Sequence, residues 1–216
     1  MKYIHLAVVS MLLLFTISCN DDNNSNTNRV KNQDTALLII DVQNDYFPRG
    51  NMELVGADAA GIKTKQLLEY FRAQGKPVIH IQHIATNEGA TFFLPNTKGA
   101  EISHYVTPKS GEKIITKHFP NSFTETDLEK HLKAQGITKL IITGMMTDVC
   151  VDATTRAAFD LGFDNTIISD AAATRDRELL GETISAKDVH ESFLAGLNAL
   201  GGLYAKKRTT DEYIKK

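Results

Sequence analysis

Three side chains able to do covalent chemistry follow apolar runs in this chain. Asp41 comes directly after Ala36-Leu37-Leu38-Ile39-Ile40, and Lys117 directly after Ile114-Ile115-Thr116. Cys150 lies shortly beyond Leu140–Thr143, past Gly144-Met145-Met146-Thr147-Asp148-Val149. A thiol is a strong nucleophile once deprotonated, a carboxylate can take and return a proton, and an ammonium can hold an anion in place. Each residue also has a plainer use: Asp as a turn residue, Lys as a solvated charge, Cys as a small buried hydrophobe. If the three runs are strands of one sheet, their ends converge and the trio becomes an activated nucleophile.

Cys150, Thr154, Ala157, Ala158 and Leu161 share one helical face, and Gly162 ends that helix. Cys150 is therefore expected in a first helical turn, where unpaired N–H groups carry partial positive charge and lower a thiol's pKa. The remaining elements alternate. Pro77–Ile81 and Thr166–Ser169 are further strand-like runs, with Leu203-Tyr204-Ala205 as a last, weaker one. Helices are expected from about Ala57 to Gly75, from a capping-box-like Thr124-Glu125-Thr126-Asp127 to Gly136, and from Val189 to Leu200. Continuous apolar runs between helices indicate an α/β domain with a parallel sheet covered on both faces. Such sheets place their chemistry at the carboxyl ends of the strands.

Composition narrows the partners. The 216 residues carry 24 Lys+Arg against 26 Asp+Glu, a formal charge of −2, which gives no basic footprint for nucleic acid. No G-x-G-x-x-G or G-x-x-x-x-G-K-[ST] follows the first strand, so a dinucleotide or P-loop site is not indicated.

The N-terminus has a separate character. Lys2 precedes an apolar Leu6–Ile17 stretch that is short for a membrane-spanning helix and fits a secretory signal peptide over 1–18. Ser18-Cys19 followed by Asn20-Asp21-Asp22-Asn23-Asn24-Ser25-Asn26 resembles a bacterial lipoprotein signal, with Cys19 as the lipid-modified residue; Thr16 departs from that pattern. Plain signal cleavage with Cys19 incidental is the alternative. Residues 19–34 are too polar to fold and read as a tether, leaving 35–216 as the domain. The expectation is an exported, membrane-anchored lipoprotein, at the periplasmic or cell surface. If Cys19 carries lipid, Cys150 is the only thiol left, either reactive or inertly buried.

Asp41-Val42-Gln43-Asn44-Asp45-Tyr46-Phe47, Lys117-His118-Phe119-Pro120-Asn121-Ser122-Phe123 and Gly144-Met145-Met146-Thr147-Asp148-Val149-Cys150-Val151 resemble the isochorismatase-like cysteine hydrolases. Ala153–Ala158 and Asp170–Asp176 extend the resemblance, which runs from about residue 35 to the end. It implies a three-layer α/β/α sandwich around a six-stranded, mostly parallel sheet. It also implies a catalytic triad of Asp41, Lys117 and Cys150, in which Asp41 moves the thiol proton and Lys117 stabilises the thiolate. A cis peptide at Met145–Met146 would present the Met146 N–H beside that of Cys150 as an oxyanion hole.

The resemblance further implies cleavage of a C–N bond in a small amide or ureido compound through a Cys150 thioester, without a cofactor, in a homo-oligomer. Substrate contacts are expected from Gln43, Tyr46, Phe47, Phe92, Phe93, His118 and Phe119. Nicotinamidases of this family carry a metal site of an Asp, a His two residues later and a further His. Here no Asp occurs between Asp58 and Asp127, and His80 and His83 fall on opposite faces of an extended segment, so no metal is expected. Two other readings compete: vinyl-ether hydrolysis of the isochorismatase type, which needs Asp41 but no thiol, and a non-catalytic binding protein on the same fold.

Overall fold

The computed structural model describes residues 34–215. The signal, tether and lipidation expectations, Cys19 included, fall on residues outside that range. Among the described residues no helix is long and apolar enough to cross a membrane.

The central sheet is built from β1 (Thr35–Ile40), β2 (Val78–His83), β3 (Lys113–Lys117), β4 (Lys139–Met145), β5 (Asp164–Ala173) and, after a small hairpin of β6 (Arg177–Leu179) and β7 (Glu182–Ile184), β8 (Lys206–Arg208). Its order is β3-β2-β1-β4-β5-β8, and every pairing within it is parallel. The chain winds outward from β1 through β2 to β3, then returns to β4 on the other side of β1. The β1/β4 boundary is thus the switch point, where the crevice of a doubly wound sheet opens.

Alternation along β1 explains the three layers. Leu37 and Ile39 face one core with Leu67, Leu68 and Phe71 of α1 (Ala57–Ala73). Ala36, Leu38 and Ile40 face a second core. That core holds Leu128 and Leu132 of α2 (Leu128–Ala134), Ala158 of α3 (Asp152–Asp160), and Leu194 and Leu197 of α4 (Ala186–Leu197). A short α5 (Thr210–Ile214) lies against α1, with the Tyr213 ring stacked on Phe71 at 5.9 Å.

Four local expectations need correction. The last strand is not Leu203–Ala205: the Tyr204 and Ala205 N–H groups both donate to the Leu197 carbonyl, so this segment wraps the end of α4. Pairing with β5 starts only at Lys206. Thr124–Asp127 does not form a capping box; Glu125 has φ +55, and Thr126 Oγ1 donates to the Ser122 carbonyl in a turn before α2. Helix α4 starts earlier, at Ala186, because Ser185 caps it by accepting from the Asp188 N–H. β5 continues past Ser169 to Ala173 through a register shift opposite Ile142 and Gly144.

Gly144 sets how closely β4 approaches β1. It has φ +128, and a Cβ there would lie 2.0 Å from the Ile40 carbonyl oxygen. That oxygen belongs to the residue before Asp41, so room at Gly144 and the placement of Asp41 are one requirement. Gly144→Ala is expected to destabilise the fold by roughly 1–3 kcal/mol, the usual range for overpacking a core. Denaturant unfolding would show this as a lower midpoint at unchanged slope; an unaltered midpoint would contradict the close-approach argument.

Candidate active site

Each strand end delivers one group. Asp41 leaves β1 with φ +50, a left-handed conformation that Asp tolerates better than most residues, and its N–H donates to the Ile81 carbonyl at 3.1 Å. Lys117 closes β3 with a side chain that is 0% exposed. Its Nζ lies 2.8 Å from Asp41 Oδ2 and donates to the Pro120 carbonyl at 2.8 Å. An Asp41 carboxylate oxygen, a His83 ring nitrogen and Cys150 Sγ all lie within 4.8 Å of one another. The structure therefore brings Asp41, Lys117 and Cys150 together.

Cys150 does not open an ordinary α-helix. It sits in a single π-helical turn, Thr147–Val151, ahead of α3, with the Val149 and Val151 N–H groups both bonded to the Met146 carbonyl. The Met145–Met146 peptide is cis. The turn is tethered from outside. Thr147 Oγ1 is hydrogen-bonded to His190 Nδ1 at 2.8 Å, Arg177 Nε donates to Asp148 Oδ2 at 2.7 Å, and Thr174 Oγ1 donates to Asp148 Oδ1.

The thiol's electrostatics also differ from expectation. Burial pushes the Cys150 thiol well above its ordinary pKa, and the Asp41 charge pushes it further; Lys117 offsets only part of this. Burial opposes charge on Lys117 too, but Asp41 and the sulfur hold its ammonium above the ordinary lysine value. Desolvation outweighs the helix-terminus effect because Cys150 is only 3% exposed. The raised thiol pKa favours the protonated sulfur beside the Asp41–Lys117 pair.

A cavity of about 400 Å³ opens above the sulfur, a size suited to a small molecule. Tyr46, Phe92, Phe93 and His118, expected as substrate contacts, are on its wall, together with Met146 and Cys150. His118 Nδ1 bonds the Ile84 carbonyl at 2.8 Å, and since a carbonyl only accepts, that nitrogen carries the hydrogen.

Gln43, Phe47 and Phe119 are not on the wall. Gln43 is fully buried: its Nε2 donates to the His83 and Ala100 carbonyls, and its Oε1 accepts from the His83 N–H at 2.7 Å. It braces loops, buried away from the cavity wall. Phe47 packs on Tyr105 at 5.3 Å, and Phe119 is 40% exposed. Sequence reasoning missed His83 as a site residue, the Asp148–Arg177 tether, and Asp45. Asp45 is buried and accepts from the Phe93 N–H at 2.7 Å, fixing the aromatic wall. Asp45 and Asp148 stand inside the motifs quoted above, which was the available signal.

Asp41, His83 and Cys150 form the one group of potential metal donors among the described residues. The Lys117 ammonium lies 2.8 Å from Asp41 Oδ2, so a cation bound there would sit beside a positive charge.

A family model described as the isochorismatase domain matches residues 35–193. The chain belongs to the isochorismatase family. It is a hydrolase of that family, and its fold is the family's α/β fold. It is 44% identical over 181 residues to the isochorismatase family protein YddQ of Bacillus subtilis, spanning 84% of this chain and 99% of that one. The solved structure of an isochorismatase-hydrolase homologue from Oleispira antarctica superimposes with a TM-score of 0.81 at 45% identity, covering 86% of this chain and 98% of that one. A ureidoacrylate amidohydrolase of Stutzerimonas stutzeri is 29% identical over 175 residues, 66% of this chain and 71% of that one.

The charge arrangement has an unusual signature. Because Asp41 raises the thiol pKa, Asp41→Asn is expected to lower it and to speed alkylation of Cys150 by iodoacetamide at pH 8 by about tenfold, one pK unit. In the unsubstituted protein the alkylation rate should keep climbing from pH 7 to pH 10. A plateau near neutrality, or slower alkylation of the variant, would contradict the assignment.

Proposed function

We propose that the chain is a cysteine amidohydrolase that cleaves the C–N bond of a small amide or ureido compound through a thioester on Cys150. The observation that carries this reading is a sulfur on a cavity wall with a carboxylate oxygen within 4.8 Å of it and an ammonium 2.8 Å from that carboxylate. The Cys150 proton passes to Asp41 as sulfur attacks the carbonyl carbon, and the carbonyl oxygen gains negative charge. The N–H groups of Met146 and Cys150 receive that oxyanion; one such donor is worth about 10²–10³ in kcat. Lys117 stabilises the thiolate as it forms. When the C–N bond breaks, Asp41 returns its proton to the departing nitrogen, and water then hydrolyses the thioester.

The cavity suggests the acyl part. Its wall is dominated by the Tyr46, Phe92 and Phe93 rings, with Asn87, Thr91 and two imidazoles as polar groups, which suits a compact uncharged acyl group. The amidohydrolase among the relatives supports C–N cleavage over vinyl-ether hydrolysis. Export with lipid attachment at Cys19 belongs to the same proposal and rests on the Leu6–Ile17 run and Ser18-Cys19. So does homo-oligomerisation, consistent with Leu179 and Leu180 standing exposed on the β6–β7 hairpin.

Ammonia release from a panel of small primary amides and ureido compounds tests the reaction. Cys150→Ala is expected to reduce turnover roughly 10³-fold or more, as loss of a covalent nucleophile does. Rapidly quenched wild-type enzyme should carry the acyl group on Cys150 by mass spectrometry. Full turnover by Cys150→Ala would overturn the covalent reading and favour acid catalysis by Asp41 alone.

A further inference from the structure

Asp41 and Lys117 are both 0% exposed, and neither is on the cavity wall. A molecule in the cavity can touch the sulfur, while the carboxylate stands within 4.8 Å of that sulfur but off the wall, with Lys117 2.8 Å from one oxygen. The group that is on the wall, and also within 4.8 Å of both Cys150 Sγ and an Asp41 oxygen, is the His83 imidazole.

His83 is built into place. It is the last residue of β2, in register with Lys117 of β3. Gln43 grips its peptide from both sides, accepting from its N–H and donating to its carbonyl. Its ring lies against Phe93 at 5.8 Å between centroids. The ring nitrogens have no hydrogen-bond partner among the described residues, so they are available to a guest in the cavity. Burial holds the imidazole below its ordinary pKa; Asp41 raises it, whereas Lys117 and His118 lower it further. The lowered pKa favours the neutral ring, which can accept a proton.

We propose that His83 is a further catalytic residue, the general base for the water that hydrolyses the thioester. This rests on the covalent reading above and concerns its second half. Water enters from the cavity and gives a proton to the free ring nitrogen as its oxygen bonds to the thioester carbon. The C–S bond then breaks, and the imidazolium returns that proton to the departing Cys150 sulfur. The carboxylic acid leaves, and the thiol is restored with no other reactant consumed. Asp41 thus serves the leaving nitrogen and His83 serves the incoming water.

The test uses p-nitrophenyl acetate as an acylating probe with wild type, His83→Asn and His83→Gln. Loss of a general base costs about 10²–10⁴-fold. Both variants are expected to release about one p-nitrophenolate per site at near wild-type rate, then turn over at least 100-fold more slowly, with acetylated Cys150 accumulating by intact mass. Hydroxylamine, a nucleophile that needs no base, should restore their turnover. The acidic limb of wild-type deacylation should be absent from the variants. If release and turnover fall together, or turnover is unchanged, His83 is not the base. If neither wild type nor variant yields acetylated Cys150, the covalent reading itself fails.

Discussion

The structure depends on one buried ion pair. Taking a carboxylate and an ammonium out of water costs several kcal/mol per ion, and their attraction offsets this only when the geometry is good and the remaining bonding capacity is met. Lys117 meets both conditions in part, with Asp41 Oδ2 at 2.8 Å and the Pro120 carbonyl at 2.8 Å. Neither Asp41 oxygen has a hydrogen-bond donor beyond the 2.8 Å Lys117 contact on Oδ2, at zero exposure. Such a carboxylate is expensive to maintain and well placed to accept a proton from the neighbouring sulfur.

Much of the surrounding structure exists to hold that arrangement. Gly144 lets β4 approach the Ile40 carbonyl and so fixes where Asp41 emerges. Gln43 locks the end of β1 to the end of β2, and with it His83. Asp45 pins the Phe93 wall; a Cβ on Gly99 would come within 2.1 Å of its carboxylate. Asp148, held by Arg177 and Thr174, steadies the turn that presents the sulfur. Gln43 and Asp45 are satisfied by backbone groups and Asp148 by side chains, which makes all three rigid supports.

The part of this that was legible in the sequence follows a physical pattern. Strands β1, β2 and β4 were visible because parallel strands buried on both faces carry apolar runs, and Asp41, Lys117 and Cys150 were visible because they follow such runs, Cys150 after a short connection. β8 was hidden: as an edge strand of Lys206-Lys207-Arg208 it needs no apolar run, while the apolar Leu203–Ala205 segment serves to wrap a helix end. The acidity of Cys150 was misjudged because sequence reveals a helix start but not desolvation. Gln43 looked like a ligand contact because a motif cannot say where an amide points. His83 was set apart from His80 by strand alternation, and the structure keeps them apart: His80 pairs with Glu112 at 2.9 Å, while His83 meets Asp41. What alternation could not supply was the depth of Asp41, which stands off the cavity wall while the His83 imidazole stands on it.

The central claim is that Asp41 and Lys117 form one coupled, buried pair. A double-mutant cycle on unfolding free energy with Asp41→Asn, Lys117→Met and the combination measures that coupling directly. Breaking one partner of a buried pair typically costs about 3–5 kcal/mol, because the other charge is left uncompensated. Each single substitution is therefore expected to cost about that much, with the combination far milder than their sum. Additive or negligible losses would mean that the two charges are not buried against each other, and the site described here would lose its foundation.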